Sequence, residues 1–264
     1  MHLEKSTKLN KNTKLIELKK VEEIKINLNK YANKEKAKIL QNFFKTNKGG
    51  YGEGDKFIGV QIPIIRKIAK EYPNLTLKEN LELLNSEIHE ERMISTLNLV
   101  NQFEIAKRLN DEKKQKEIYE FYIKNSTKFN NWDFVDLSAP RIVGQYLLDK
   151  KHERKIMYKL SSSNKKGKNG FDYLWEKRIA IISTFTFIKN NEFDDTLKLA
   201  KIYLNENHNL MHKATGWMLR EIGKRDKQVL CNFLDKHYKE MPRTMLRYSI
   251  EKFDETKRQY YLKK

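Results

Sequence analysis

The chain holds one cysteine, Cys231, so an internal disulfide is excluded and a cysteine-built zinc site lacks its ligands. Glycine (10) and proline (4) are scarce in 264 residues. A many-stranded sandwich or barrel needs such turn residues at short intervals, so long helices joined by short loops are expected instead. No apolar run approaches the roughly 18 residues that read as a membrane span. The basic N-terminus has no apolar core or small-residue cleavage site of the secretory kind. The expected compartment is therefore reducing, most simply the cytoplasm, with no membrane contact. Six histidines offer one pair at i, i+4, His208 and His212, with no third ligand and no His-Glu-x-x-His pattern. With no Gly-rich phosphate loop either, neither a metal nor an organic cofactor is expected.

What is abundant is positive charge: 54 Lys and Arg against 35 Asp and Glu, a formal net charge of +19. It is uneven. Residues 1–50 hold 13 basic against 5 acidic side chains, 151–170 hold 7 against 1, and 211–264 hold 14 against 7, whereas 75–120 hold 7 against 10. A polyanion-binding face with a less basic back has this distribution. A lysine- and asparagine-rich composition produces a similar surface by default, so charge alone leaves both readings open.

Residues 1–30 read as a basic, partly flexible N-terminal extension, with a weak amphipathic pattern at Leu15, Leu18, Val21 and Ile24. Residues 31–264 read as one continuous domain. Apolar periodicity predicts helices near 32–44, 62–72, 76–84, 87–100, 103–109, 112–124, 133–149, 151–160, 173–190, 193–205, 208–222, 225–238, 242–251 and 254–261. Pro63 suits a first helical turn, Asp133, Asp172 and Pro242 mark helix starts, and Gly223 reads as a helix-ending C′ glycine. Helices pairing at roughly 35–45 residues per pair point to an all-α architecture, an α-solenoid of HEAT-like repeats with a concave basic groove. The segment Ser161–Gly170, with Lys165, Lys166 and Lys168, reads either as a tolerated surface loop or as a phosphate-contacting one.

Three segments carry chemistry. In Asn131-Trp132-Asp133-Phe134-Val135-Asp136 a helix puts Trp132 and Asp136 on one face, an aromatic plate beside an anion. A core tryptophan followed by a capping aspartate is the plain alternative. In Lys213-Ala214-Thr215-Gly216-Trp217-Met218-Leu219-Arg220-Glu221-Ile222-Gly223-Lys224, the residues Lys213, Trp217, Glu221 and Lys224 share a stripe with Arg220 beside it. In Leu174-Trp175-Glu176-Lys177-Arg178-Ile179-Ala180, Arg178 falls next to a buried stripe and needs an anion: Asp136, another carboxylate or a phosphate. Cys231 sits in an apolar pattern and reads as inert core.

Together these segments resemble the AlkD-like family of DNA alkylation repair glycosylases, which are HEAT-like repeat proteins. Phe57-Ile58-Gly59-Val60-Gln61-Ile62-Pro63 with Arg66, and Met241-Pro242-Arg243-Thr244-Met245-Leu246-Arg247-Tyr248, are similar to further family segments. The likeness covers roughly residues 35–262. It implies excision of cationic N3- or N7-alkylated purines from duplex DNA by hydrolysis of the N-glycosidic bond, by a monofunctional enzyme that does not draw the base into a tight pocket. On that likeness Asp136 matches the catalytic carboxylate, Trp132 and Trp217 the tryptophans that meet the lesion's deoxyribose, and Arg178 an arginine on backbone phosphate. Tyr51 matches an aromatic of the same cleft across a loop of different length. Lys213, Arg220, Lys224, Lys165, Lys166, Lys168, Arg243 and Arg247 are the expected DNA contacts.

Two rivals remain. A non-catalytic HEAT-like module that binds DNA or RNA structures explains the charge, yet it has no use for Asp136 in a basic groove, where a carboxylate repels phosphate. A protein-binding scaffold explains the helices and not the charge. No heptad or leftover apolar stripe calls for an obligate protein partner, so a monomer is expected.

Overall fold

The computed structural model describes residues 19–167 and 170–263. Among them there is no strand, only an isolated bridge between Lys56 and Ile88. The α-helices are α1 (19–29), α2 (Lys34–Phe43), α3 (Ile62–Glu71), α4 (Leu77–Leu84), α5 (His89–Arg108) and α6 (Glu112–Lys124), followed by α7 (Trp132–Ser138), α8 (Gln145–Leu147), α9 (Lys155–Ser161) and α10 (Asp172–Ser183). Then come α11 (Phe185–Lys189), α12 (Asp194–Ile202), α13 (Asn209–Arg225), α14 (Lys227–His237), α15 (Arg243–Ser249) and α16 (Glu255–Leu262). The chain divides into two compact units between Phe121 and Tyr122, in the last turn of α6.

In the first unit α1 buries Val21, Ile24 and Leu28, so residues 19–29 contribute core rather than a loose arm. Leu15 and Leu18 of the same expected pattern lie outside the described residues. α4 starts with a capping box: the Thr76 hydroxyl accepts from Glu79 N, and the Glu79 carboxylate accepts from Thr76 N. α5 is the unit's central helix and is buried nearly all round, polar residues included. The expected break between 100 and 103 does not exist. Asn101-Gln102 interrupts the apolar pattern, but Gln102 donates to the Leu75 carbonyl (2.7 Å) and to Asn98 Oδ1 (2.6 Å), which lets a polar side chain sit within a continuous helix.

The loop before α3 is held by buried carboxylates. Glu90 Oε1 accepts from the backbone N–H of Gly59 at 2.8 Å, and its carboxylate also accepts from Ile58 and Val60. Gly59 has φ +84°, and a Cβ there would meet the Asn33 carbonyl oxygen at 2.1 Å, so this loop closes on α2 only with glycine. Asp55 lies between His89 Nδ1 (3.0 Å) and the Arg92 guanidinium, all three buried. Burial pushes the Asp55 carboxyl up, but the His89 hydrogen bond and the Arg92 charge outweigh it and hold it below its ordinary value of 3.8.

In the second unit α10 is the hub, buried through Leu174, Trp175 and Ile179–Ile182 and packed against α7, α9 and α13. The expected single helix over 133–149 is instead α7, a π-turn over Pro140–Gly144, and α8. Pro140 has no N–H to give to the Asp136 carbonyl, so the α-ladder stops there; Gly144 N donates to Ala139 O at 2.9 Å, five residues back. The run 173–190 is likewise two helices, α10 and α11. Gly223 does not end its helix: α13 runs on to Arg225 and stops where Asp226 caps α14 by accepting from Val229 N. Cys231 is buried, as its pattern predicted.

Candidate functional site

α7 begins at Trp132, where Asn131 Oδ1 accepts the first N–H at 2.9 Å. Phe134, Val135 and Ser138 form its buried face. Trp132 and Asp136, one turn apart, lie half-buried on the other side, so they share a face as the i, i+4 spacing required.

Arg178 on α10 is the buried cation of the site, and of its three possible partners it takes Asp136. Nε donates to Asp136 Oδ1 at 2.8 Å and Nη2 to Oδ2 at 2.8 Å, a bidentate pair. Nη1 donates to the Leu210 carbonyl on α13 at 2.7 Å. One guanidinium thus ties α10 to both α7 and α13. Three of its five N–H groups are engaged within the protein among the described residues. The Asp136 side chain keeps 21% of its surface accessible against 5% for Arg178, so the carboxylate faces outward and the guanidinium backs it.

Trp217 lies on α13 two turns beyond Leu210, on the same side of that helix. Its Nε1 donates to Glu221 Oε1 at 3.1 Å. Its ring leans on Phe185 of α11, centroids 5.8 Å apart, and Lys189 Nζ lies 4.5 Å over the far ring. Beside it, a Cβ on Gly216 would meet the Met245 carbonyl oxygen at 2.5 Å, so only glycine lets α15 pack this close to α13.

The basic residues divide into two groups. Lys224 is paired with Glu221 at 2.7 Å, Arg220 is paired with Glu251, and Arg243 donates to the Leu262 carbonyl. Lys165 binds Glu176 at 2.8 Å, and that buried carboxylate also accepts from Ser126 (2.7 Å) and Ser163. Burial raises the Glu176 carboxyl, and the bonds from Lys165, Ser163 and Ser126 overcome this to leave it below the usual carboxylate range. Lys166 and Arg247 are exposed, and Lys213 is half-buried. Lys168 lies outside the described residues. Tyr51 belongs to the first unit, where its hydroxyl donates to the Phe43 carbonyl at 3.3 Å.

Sequence reasoning missed Phe185, Glu176 and the Leu210 carbonyl. Each acts across a helix–helix contact, and neither spacing nor residue type announces such a contact along the chain. Among the described residues no group of three or more His, Cys, Asp or Glu is placed to hold a metal ion, and no helix is long and apolar enough to cross a membrane.

An all-helical fold, bearing a carboxylate–guanidinium pair one turn from the half-buried Trp132, is the class that fold and site define. The family model for DNA alkylation repair enzymes matches residues 24–253. A solved structure described as a predicted DNA alkylation repair enzyme from Enterococcus faecalis has the same fold, with a TM-score of 0.61 at 14% identity over 85% of this chain and 97% of that one. No curated protein matches. The chain belongs to the DNA alkylation repair enzyme family, and DNA repair is its role.

Proposed function

We propose that the protein is a monofunctional DNA glycosylase that releases cationic N3- or N7-alkylated purines from duplex DNA. The observation that carries this is Asp136: a partly accessible carboxylate, oriented by both of its oxygens on Arg178 and set one turn from Trp132. A binding module gains nothing by fixing an anion so firmly.

An alkylated purine already bears positive charge, so its C1′–N9 bond is weak. When that bond breaks, its electron pair neutralises the leaving base, which needs no acid. The sugar gains oxocarbenium character. Asp136 stabilises that cation and orients the water whose oxygen bonds to C1′, its proton passing to the carboxylate or to solvent. The indole faces of Trp132 and Trp217 add cation–π attraction of about 0.5–2 kcal/mol each. Arg178 sets the carboxylate's angle, and its two remaining donors suit a neighbouring phosphate. Lys213, Lys166 and Arg247 supply backbone contacts. Among the described residues Asp136 is held by Arg178 and by no lysine, which favours simple hydrolysis over strand cleavage.

The test is release of free base from duplex DNA carrying N7-methylguanine, with wild type beside Asp136→Asn. The expected result is release by the wild type and a loss of roughly 10²–10³-fold in the variant, with duplex binding kept. Equal release by both discards Asp136 as the catalyst. Release by neither, with tight binding, supports the non-catalytic DNA- or RNA-structure-binding module instead.

A further inference from the structure

Of the eight large apolar side chains exposed among the described residues, five fall between residues 26 and 62. Two of them, Ile39 (67% exposed) and Phe43 (62%), are one turn apart on the outer side of α2, opposite the buried Ala37. The same side carries Lys36 and, one turn before Ile39, the acid Glu35; Lys38 lies around the helix from Phe43, and Lys34, Lys45 and Lys48 stand exposed at the ends of the helix. Residues 33–48 hold these five lysines and a single acid, Glu35. None of the five makes an ion pair among the described residues, unlike Lys165 and Lys224.

Phe43 is also stiffly mounted. It is the last residue of α2, edge-on to Phe44 at 5.2 Å; Phe44 stacks on Phe57 at 5.0 Å, and Phe57 on His89 at 4.4 Å. The row ends in the buried Asp55–His89–Arg92 cluster. The Tyr51 hydroxyl holds the Phe43 carbonyl from the other side. A loose surface aromatic has no such backing.

An apolar pair flanked by Lys36, with unpaired lysines at both ends of its helix and one acid, is a poor protein interface, because lysine is depleted where proteins meet. It suits a polyanion that also has an apolar interior. We propose that Ile39 and Phe43 form a wedge that enters the minor groove of duplex DNA and partly unstacks a base step, while the surrounding lysines take the flanking phosphates. The inference rests on the DNA-acting role proposed above and adds to it a second contact, in the first unit and independent of Asp136.

The experiment uses the full chain and an undamaged duplex containing 2-aminopurine, whose fluorescence rises on unstacking. The wild type is expected to raise the signal. The double variant Ile39→Ala with Phe43→Ala is expected to abolish the rise and weaken binding about tenfold, with unchanged helical circular dichroism. Leu109→Ala, at an exposed leucine elsewhere in the first unit, serves as the control and is expected to behave as wild type. Lys36→Ala with Lys38→Ala is expected to lower the slope of log Kd against log salt by about two. An unchanged signal in the wedge variant overturns the proposal. So does a self-association of the wild type that the wedge variant loses, since that assigns the patch to a second copy. If base release fails in the wild type while the wedge signal is present, the glycosylase reading falls and the wedge stands.

Discussion

A guanidinium as deeply placed as that of Arg178 is tolerable only while its carboxylate is there. Arg178→Ala, which removes the guanidinium and leaves the half-buried Asp136 without its partner, is expected to lower stability by about 1–3 kcal/mol as well as to lose base release. In a double-mutant cycle with Asp136→Ala the two losses should fall short of adding, by about 1–3 kcal/mol, in urea melts. Additive losses would mean that the pair does not couple. Asp55 makes a pH-dependent contribution. Its carboxyl is depressed in the folded chain, so it stabilises the fold at pH values above its ordinary 3.8, and that contribution disappears as pH falls through the lower folded value. Wild type is expected to melt well above Asp55→Asn at pH 6, with the gap closing below pH 3.8. A gap that persists at pH 2 would assign the effect to packing instead.

At the scale of the helix, Gly216 controls how close α13 and α15 approach. Gly216→Ala places a Cβ against the Met245 backbone oxygen, which cannot swing aside, so a loss of about 1–3 kcal/mol is expected on thermal melting. Gly223→Ala is the contrast. There the obstacle is the Leu230 side chain, and alanine's better helix propensity offsets the repacking, so a near-neutral result is expected. Gly223 also shows where the sequence misled. A glycine after an apolar period looks like a helix end, but this one is a packing glycine, and only the neighbouring helix distinguishes the two. The helix expected over 133–149 ran straight through Pro140, and the π-turn that this proline forces was not foreseen. Trp132 with Asp136 was legible because both lie on one helix with a fixed period. The Arg178 partner was not, because it depends on how α10 meets α7. The all-helical class was readable from scarce glycine and proline and from long apolar periods, whereas the division inside α6 interrupts no period and left no mark in the sequence.

For the whole molecule, the formal charge of +19 overstates what DNA meets. Lys224, Lys165 and Arg220 are occupied by the protein's own carboxylates, while Lys166 and Arg247 are exposed and pair with no carboxylate among the described residues. Lys166→Ala and Arg247→Ala are each expected to reduce the salt slope of duplex binding by about one, and Lys224→Ala by clearly less. Equal effects at all three positions would show that the ion pairs open on binding. The family match runs through both units, so activity assays belong on the full chain. The Arg178–Asp136 pair also shapes how such a chain changes over generations. Losing Asp136 strands a buried guanidinium and losing Arg178 leaves the half-buried carboxylate without its partner, so a lineage that drifts at this pair meets a fitness valley at its first substitution. Descendants are expected to keep both residues or to have replaced both, and a homologue retaining just one should carry a compensating change at the Leu210 end of the fork.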